Sequence, residues 1–133
     1  MKKVSLVLWL VVALAVGMGS ISASAAGTIQ VKSVDEAKVI LTTSPNPVAL
    51  LDVRTPDEYA KGHIGGALLF NYKGDDFERK LALLPKHIQY VIYSETNSRS
   101  SRAARILKSM GLSVIHMDGG FQEWKRKGYP VVK

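Results

Sequence analysis

Residues 89–110, QYVIYSETNSRSSRAARILKSM, change periodicity partway along, and this narrows the folds open to the chain more than any other stretch. The apolar, aromatic and β-branched run Tyr90-Val91-Ile92-Tyr93 predicts a strand. At Ser94 a short polar loop begins, and at Ser100 a helical period takes over. Ala103, Ile106, Leu107 and Met110 fall at i, i+3, i+4 and i+7 and would face a core, with Arg102, Arg105 and Lys108 pointing away. Gly111 stands where a helix C-cap glycine belongs. A loop that enters a helix in this way presents unpaired backbone N–H groups where the helix dipole also favours negative charge, so it can cradle an anion. Here the loop runs from Ser94 to Arg99. Thr96, Asn97, Ser98 and Ser100 add hydroxyl and amide groups, and Arg99 places a planar guanidinium at the rim. Taken alone, the same stretch also reads as an ordinary strand-to-helix turn capped by Ser98 or Ser100.

The remaining segments repeat the alternation. Ile29 and Val31 mark a short strand, and Ser33 with Glu36 forms the capping box of a helix that Pro45-Asn46-Pro47 ends. Val48 to Val53 is apolar but for Asp52, as expected of a strand buried on both faces in a parallel sheet. Thr55, Pro56 and Glu58 open a second helix with N-cap, first-turn proline and closing carboxylate. Glycines at 62, 65 and 66 break it before a short strand at Leu68 to Phe70. Asp75 or Asp76 is the expected cap of a helix through Phe77, Leu81 and Leu84. Leu112 to Met117 is the last strand, and Asp118-Gly119-Gly120 turns into a helix over Phe121 to Lys127 with Trp124 on its apolar face. Strands alternating with helices predict an α/β fold with a mainly parallel sheet, which binds ligands at the carboxyl ends of its strands. Asp52, Arg54, Ser94 and Asp118 all fall at such ends.

Residues 1–26 read differently from the rest. Lys2 and Lys3 precede the apolar run Val4 to Val16, and small residues follow with an A-x-A-like site ending at Ala25 or Ala26. This predicts a cleaved secretory signal peptide and an exported, periplasmic or secreted domain at 27–133, with membrane contact only through an uncleaved segment. The formal charge of +7 falls by two on losing Lys2 and Lys3, to about +5. Residues 27–93 balance eight basic against eight acidic side chains, whereas residues 94–133 hold eight against three. The excess around the Ser94 loop suits a small anion or an acidic partner. Nucleic acid is not expected, because no basic run is interleaved with aromatics. Cysteine is absent, which rules out disulfides, lipid-anchored cysteine and thiol chemistry alike. No cofactor or metal is expected.

The longest motifs resemble a single-domain rhodanese, the thiosulfate sulfurtransferase family. LLDVRTPDEYAKGHIGGALL at 50–69 is similar to the family's D-V-R-x-x-x-E-[YF]-x-x-G-H-I-x-G-A signature. VIYSETNSRSSRAARILKSMG resembles its strand, active-site loop and helix, and MDGGFQEWKRKGYPV its terminal G-G-x-x-x-W-x-x-x-G-x-P motif. The resemblance implies a three-layer fold, with Ser94 at the nucleophile position, Arg99 ending the active loop, and Asp52, Arg54, Glu58 and Gly119 in supporting positions. It also implies a loop of sulfurtransferase length, Ser94 to Arg99, rather than the longer loop of the related cell-cycle phosphatases.

In active members the first loop residue is a cysteine that carries sulfane sulfur as a persulfide, its thiolate stabilised by loop N–H groups and the helix dipole. Ser94 stands there instead, and an oxygen forms no persulfide. The expectation is therefore a domain without sulfur transfer that keeps the loop as a site for an anion such as thiosulfate, or for an acidic or thiol-bearing partner. An alternative is a working thiosulfate sulfurtransferase in which Ser94 is an engineered replacement of cysteine. Glu95 is a second departure, since a carboxylate beside the cradle repels an anion unless Arg99 or Arg102 neutralises it. A serine nucleophile would need a histidine base. His63 belongs to the resembled Gly-His-Ile turn, His87 follows Pro85 and His116 lies within a strand, so none is expected to serve. Trp124 is expected in the core, with Gly119 and Gly120 allowing close backbone approach beside the pocket.

Overall fold

The computed structural model describes residues 27–133, so the expected signal segment at 1–26 lies outside the described residues. Five strands, β1 (Thr28–Ser33), β2 (Val48–Asp52), β3 (Leu68–Leu69), β4 (Gln89–Tyr93) and β5 (Ser113–Asp118), form one sheet in the order β1-β5-β4-β2-β3. Every pairing is parallel. The five helices are α1 (Val34–Thr43), α2 (Pro56–Lys61), α3 (Phe77–Leu81), α4 (Ser98–Ser109) and α5 (Gly120–Arg126). A parallel sheet needs a crossover between neighbouring strands, and the helices that supply it cover both faces, giving three layers.

The alternation of side chains along each strand divides the core in two. On one face Leu51, Tyr90, Ile92 and Val114 pack with Phe77 and Leu81 of α3 and with Ala103, Ala104 and Leu107 of α4. On the other, Leu50, Val91, Tyr93, Ile115 and Met117 pack with Val34 and Ala37 of α1 and with Phe121 and Trp124 of α5. Trp124 donates its indole N–H to Pro130 O at 2.8 Å, anchoring the terminal segment. His63 and Val132 then exchange two backbone hydrogen bonds, closing the chain end onto the Gly62–Gly66 turn.

Both capping boxes form as expected: Ser33 with Glu36 at α1, and Thr55 with Glu58 at α2 behind Pro56. Two helix starts differ from expectation. α3 has Asp76 at its N-cap with no side-chain hydrogen bond, and it ends at Leu81 rather than continuing to Leu84. α4 begins at Ser98, two residues before its apolar period, and neither Ser98 nor Ser100 is its N-cap. That position belongs to Asn97, whose side chain is engaged elsewhere. Gly111 ends this helix at φ +85, in the left-handed region expected of a C-cap glycine. The exposed face of α4 carries Arg102, Arg105 and Lys108.

Because Leu107 is wholly buried between α4 and the sheet, Leu107→Ala is expected to lower the unfolding free energy by about 3 kcal/mol, measured by urea denaturation.

Candidate functional site

The site is assembled where the register brings the ends of β2, β4 and β5 together: Asp52 is paired with Tyr93, and Ser94 and Asp118 lie just beyond. The Ser94–Asn97 segment leaves β4 and lies against the start of α5. Ser94 O accepts from Phe121 N–H at 2.9 Å and Glu95 O accepts from Gln122 N–H at 3.0 Å. Asn97 clamps the other side, its Oδ1 accepting from Gly119 N–H and its Nδ2 donating to Asp118, both at 2.8 Å. Gly120 makes this approach possible. A Cβ there would stand 2.4 Å from Thr96 O and 2.5 Å from Ser94 O, and its φ of +62 also excludes most side chains.

A trans peptide unit points its N–H opposite to its C=O. With the carbonyls of Ser94 and Glu95 turned onto α5, the N–H groups of Glu95 and Thr96 face away from it. Among the described residues, no hydrogen bond is made by the N–H groups of Glu95, Thr96, Asn97, Ser98 or Arg99. The twelve-residue α4 begins within this run and adds its dipole. These are the features of an anion cradle. Ser94 is buried at its base, where its Oγ accepts from Ser100 N–H at 3.1 Å and its hydroxyl has two acceptors in reach, Ser100 Oγ at 2.9 Å and Thr96 O at 3.1 Å.

Asp52 and Arg54 support the loop from below. The Arg54 guanidinium is almost fully buried, binds both Asp52 carboxylate oxygens, donates to Gly62 O at 2.6 Å and stacks over Phe121 with its centre 4.1 Å from the ring. Burial alone would push the guanidinium down, but the hydrogen bonds and charge of Asp52 hold it above its ordinary value. Tyr93 donates to Asp52 at 2.6 Å and accepts from Ile64 N–H. Burial, with Asp52 alongside, drives its phenol far above its usual range.

The charges at the rim pair differently from expectation. Arg54 and Lys125 neutralise Glu95, at 3.3 and 3.9 Å, rather than Arg99 or Arg102. Arg99 instead forms a two-pronged ion pair with Glu58 at 2.8 and 2.9 Å. The Arg99 hydrogen bond holds the Glu58 carboxyl at about 2. A cavity of about 210 Å³ opens beside Glu95, with Arg54, Glu58, Lys61, Gly62 and Phe121 in its walls.

Of the three histidines, His63 stacks on Tyr59 in its turn and His87 is exposed ahead of β4. His116 is the residue whose place the sequence did not disclose. It is buried, with Nε2 2.8 Å from Ser100 Oγ. The alternation of β5 gives only its side: His116 shares the parity of Val114, and the structure covers that face with α4. Among the described residues no group of three or more His, Asp or Glu side chains is placed to hold a metal, and no helix is long and apolar enough to cross a membrane.

Fold and loop together define a parallel α/β domain with a loop of unpartnered N–H groups at the carboxyl end of its central strand. Residues 33–127 match the model of the rhodanese-like domain, and the chain belongs to that family. It is 35% identical over 86 residues to a sulfurtransferase of Allochromatium vinosum, covering 64% of this chain and 78% of that protein. It is also 35% identical over 88 residues to the probable adenylyltransferase/sulfurtransferase MoeZ of Mycobacterium tuberculosis, of whose length the match spans only 22%. Among solved structures, a rhodanese-related protein from Thermoplasma volcanium superposes with a TM-score of 0.69 at 25% identity, over 77% of this chain and 97% of that one.

Two outcomes are expected from the charges of this site. Arg54→Ala strands the buried Asp52 carboxylate and should cost about 3–5 kcal/mol by urea unfolding. The folded-state pKa of Glu58 lies below its ordinary 4.5, so its contribution to stability is present above that value and lost as pH falls towards about 2. The stability difference between the wild type and Glu58→Gln should therefore shrink over that acid range in thermal unfolding scans.

Proposed function

We propose that this rhodanese-like domain binds a small oxyanion such as thiosulfate, or an acidic or thiol-bearing partner, at the Ser94–Ser100 loop, and does not transfer sulfur. The observation that carries the reading is the run of five unpartnered N–H groups from Glu95 to Arg99 above a buried hydroxyl. A serine hydroxyl is not ionised near neutral pH and forms no persulfide, so binding is kept where transfer is lost. Neutralisation of Glu95 by Arg54 and Lys125 removes the main electrostatic objection to an anion here. The reading also places the domain outside the cytoplasm, on the pattern of Lys2, Lys3 and the apolar run Val4 to Val16.

The test is thiosulfate-to-cyanide sulfur transfer by the wild type and Ser94→Cys side by side, with calorimetric titration of thiosulfate into each. The wild type should bind thiosulfate, more weakly as salt rises, without turnover, and the cysteine variant should both bind and turn over. Turnover by the wild type overturns the loss of transfer, and failure of the wild type to bind thiosulfate or sulfate at low salt overturns the anion site.

A further inference from the structure

Ser94, Ser100 and His116 form a continuous buried chain. Ser94 Oγ stands 2.9 Å from Ser100 Oγ, which stands 2.8 Å from His116 Nε2. The chain links the base of the loop to a titratable ring.

Such a chain has a direction set by its imidazole. A neutral ring with a bare Nε2 accepts a hydrogen bond from the Ser100 hydroxyl, and Ser100 Oγ then accepts from Ser94. A protonated ring must donate from Nε2 into Ser100 Oγ. The Ser100 hydroxyl is then turned to Asn97 O, 3.3 Å away, and the Ser94 hydroxyl to Thr96 O. Protonation also adds a full positive charge two hydrogen bonds below Ser94.

The surroundings of the ring leave few competing charges. Asp118, two residues along β5, is the charged group that acts on it, and that carboxylate is held by Asn97 Nδ2. α4 faces the ring with Ser100 and turns Arg102, Arg105 and Lys108 to solvent, while β1 and β4 place Val31 and Ile92 beside His116 in register. Burial holds the imidazole below its ordinary value, opposed by Asp118, so it is neutral at neutral pH and free to gain a proton when an anion arrives.

We propose that His116, acting through Ser100, makes oxyanion binding by the Ser94–Ser100 loop proton-linked, so that the loop holds an anion more tightly when the ring is protonated. His116 is a positioning residue here, and the inference rests on the reading of the loop as an anion site. Linkage requires the reciprocal effect: a bound anion must raise the affinity of His116 for its proton. The site then favours anions in mildly acidic surroundings, although sulfate and thiosulfate do not change charge in that range.

The experiment is calorimetric titration of sulfate and of thiosulfate between about pH 5.5 and 8, where imidazoles are the side chains that ordinarily titrate. It is done on the wild type and His116→Gln, with NMR titration of His116 in the wild type with and without sulfate. The wild type is expected to bind several-fold more tightly at the acid end, with about tenfold as the ceiling for a rise of about one unit in the His116 midpoint when sulfate is bound. His116→Gln, which keeps a hydrogen-bonding group but cannot take the proton, should bind with little dependence on pH. Binding that ignores pH in the wild type, the same pH dependence in His116→Gln, or a His116 midpoint unmoved by saturating sulfate overturns the inference and leaves the anion site standing. Absence of binding at every pH overturns the anion site and the inference together. The NMR arm needs only the wild type, so a variant that fails to fold does not shelter the idea.

Discussion

A guanidinium and a carboxylate taken out of water together are costly unless every remaining donor and acceptor is met, and the Asp52–Arg54 pair meets that condition with groups from four parts of the chain. Asp52 ends β2, Tyr93 ends β4, Gly62 belongs to the turn after α2, and Glu95 lies in the loop. One ion pair therefore fixes the distance between two strand ends and the two loops above them. Phe121 completes the enclosure from the far side, so the helix that receives the loop carbonyls also covers the guanidinium.

The loop owes its character to a division of its peptide groups. α5 takes carbonyls through Phe121 and Gln122, and the trans geometry of the units leaves amides on the other side. Nothing in that division depends on the element at position 94. Oxygen in place of sulfur changes which bonds can form at the base of the cradle and leaves the backbone arrangement as it is. The backbone arrangement is thus separable from the atom that stands at its base.

Much of this was legible in the residues themselves. The capping boxes at Ser33 and Thr55, the continuous apolar strand at Val48 and the period change at Ser94 are local patterns, each with a local physical cause, and they formed as expected. The pairing of charges was not legible. Glu58 and Arg99 are 41 positions apart, as are Arg54 and Glu95, and which carboxylate meets which guanidinium depends on how α2 and α4 are set against each other. The start of α4 escaped for a related reason: Asn97 caps no backbone group there because Asp118 and Gly119 claim its side chain. His116 was hidden by the need to know which helix covers which face, since parity assigns a residue to a side but does not say what lies on it.

Gly120 is the point at which the last helix meets the loop, and it belongs to the final fifth of the chain. The central strand β4 finds its neighbours in β2 and β5, both reached by crossovers, so its pairings are non-local. The Ser94 loop can be held open only after β5 has paired and α5 has come down onto it. A chain that stopped short of Gly120 would therefore lack the contacts that hold the loop, and the C-terminal segment serves core and site alike.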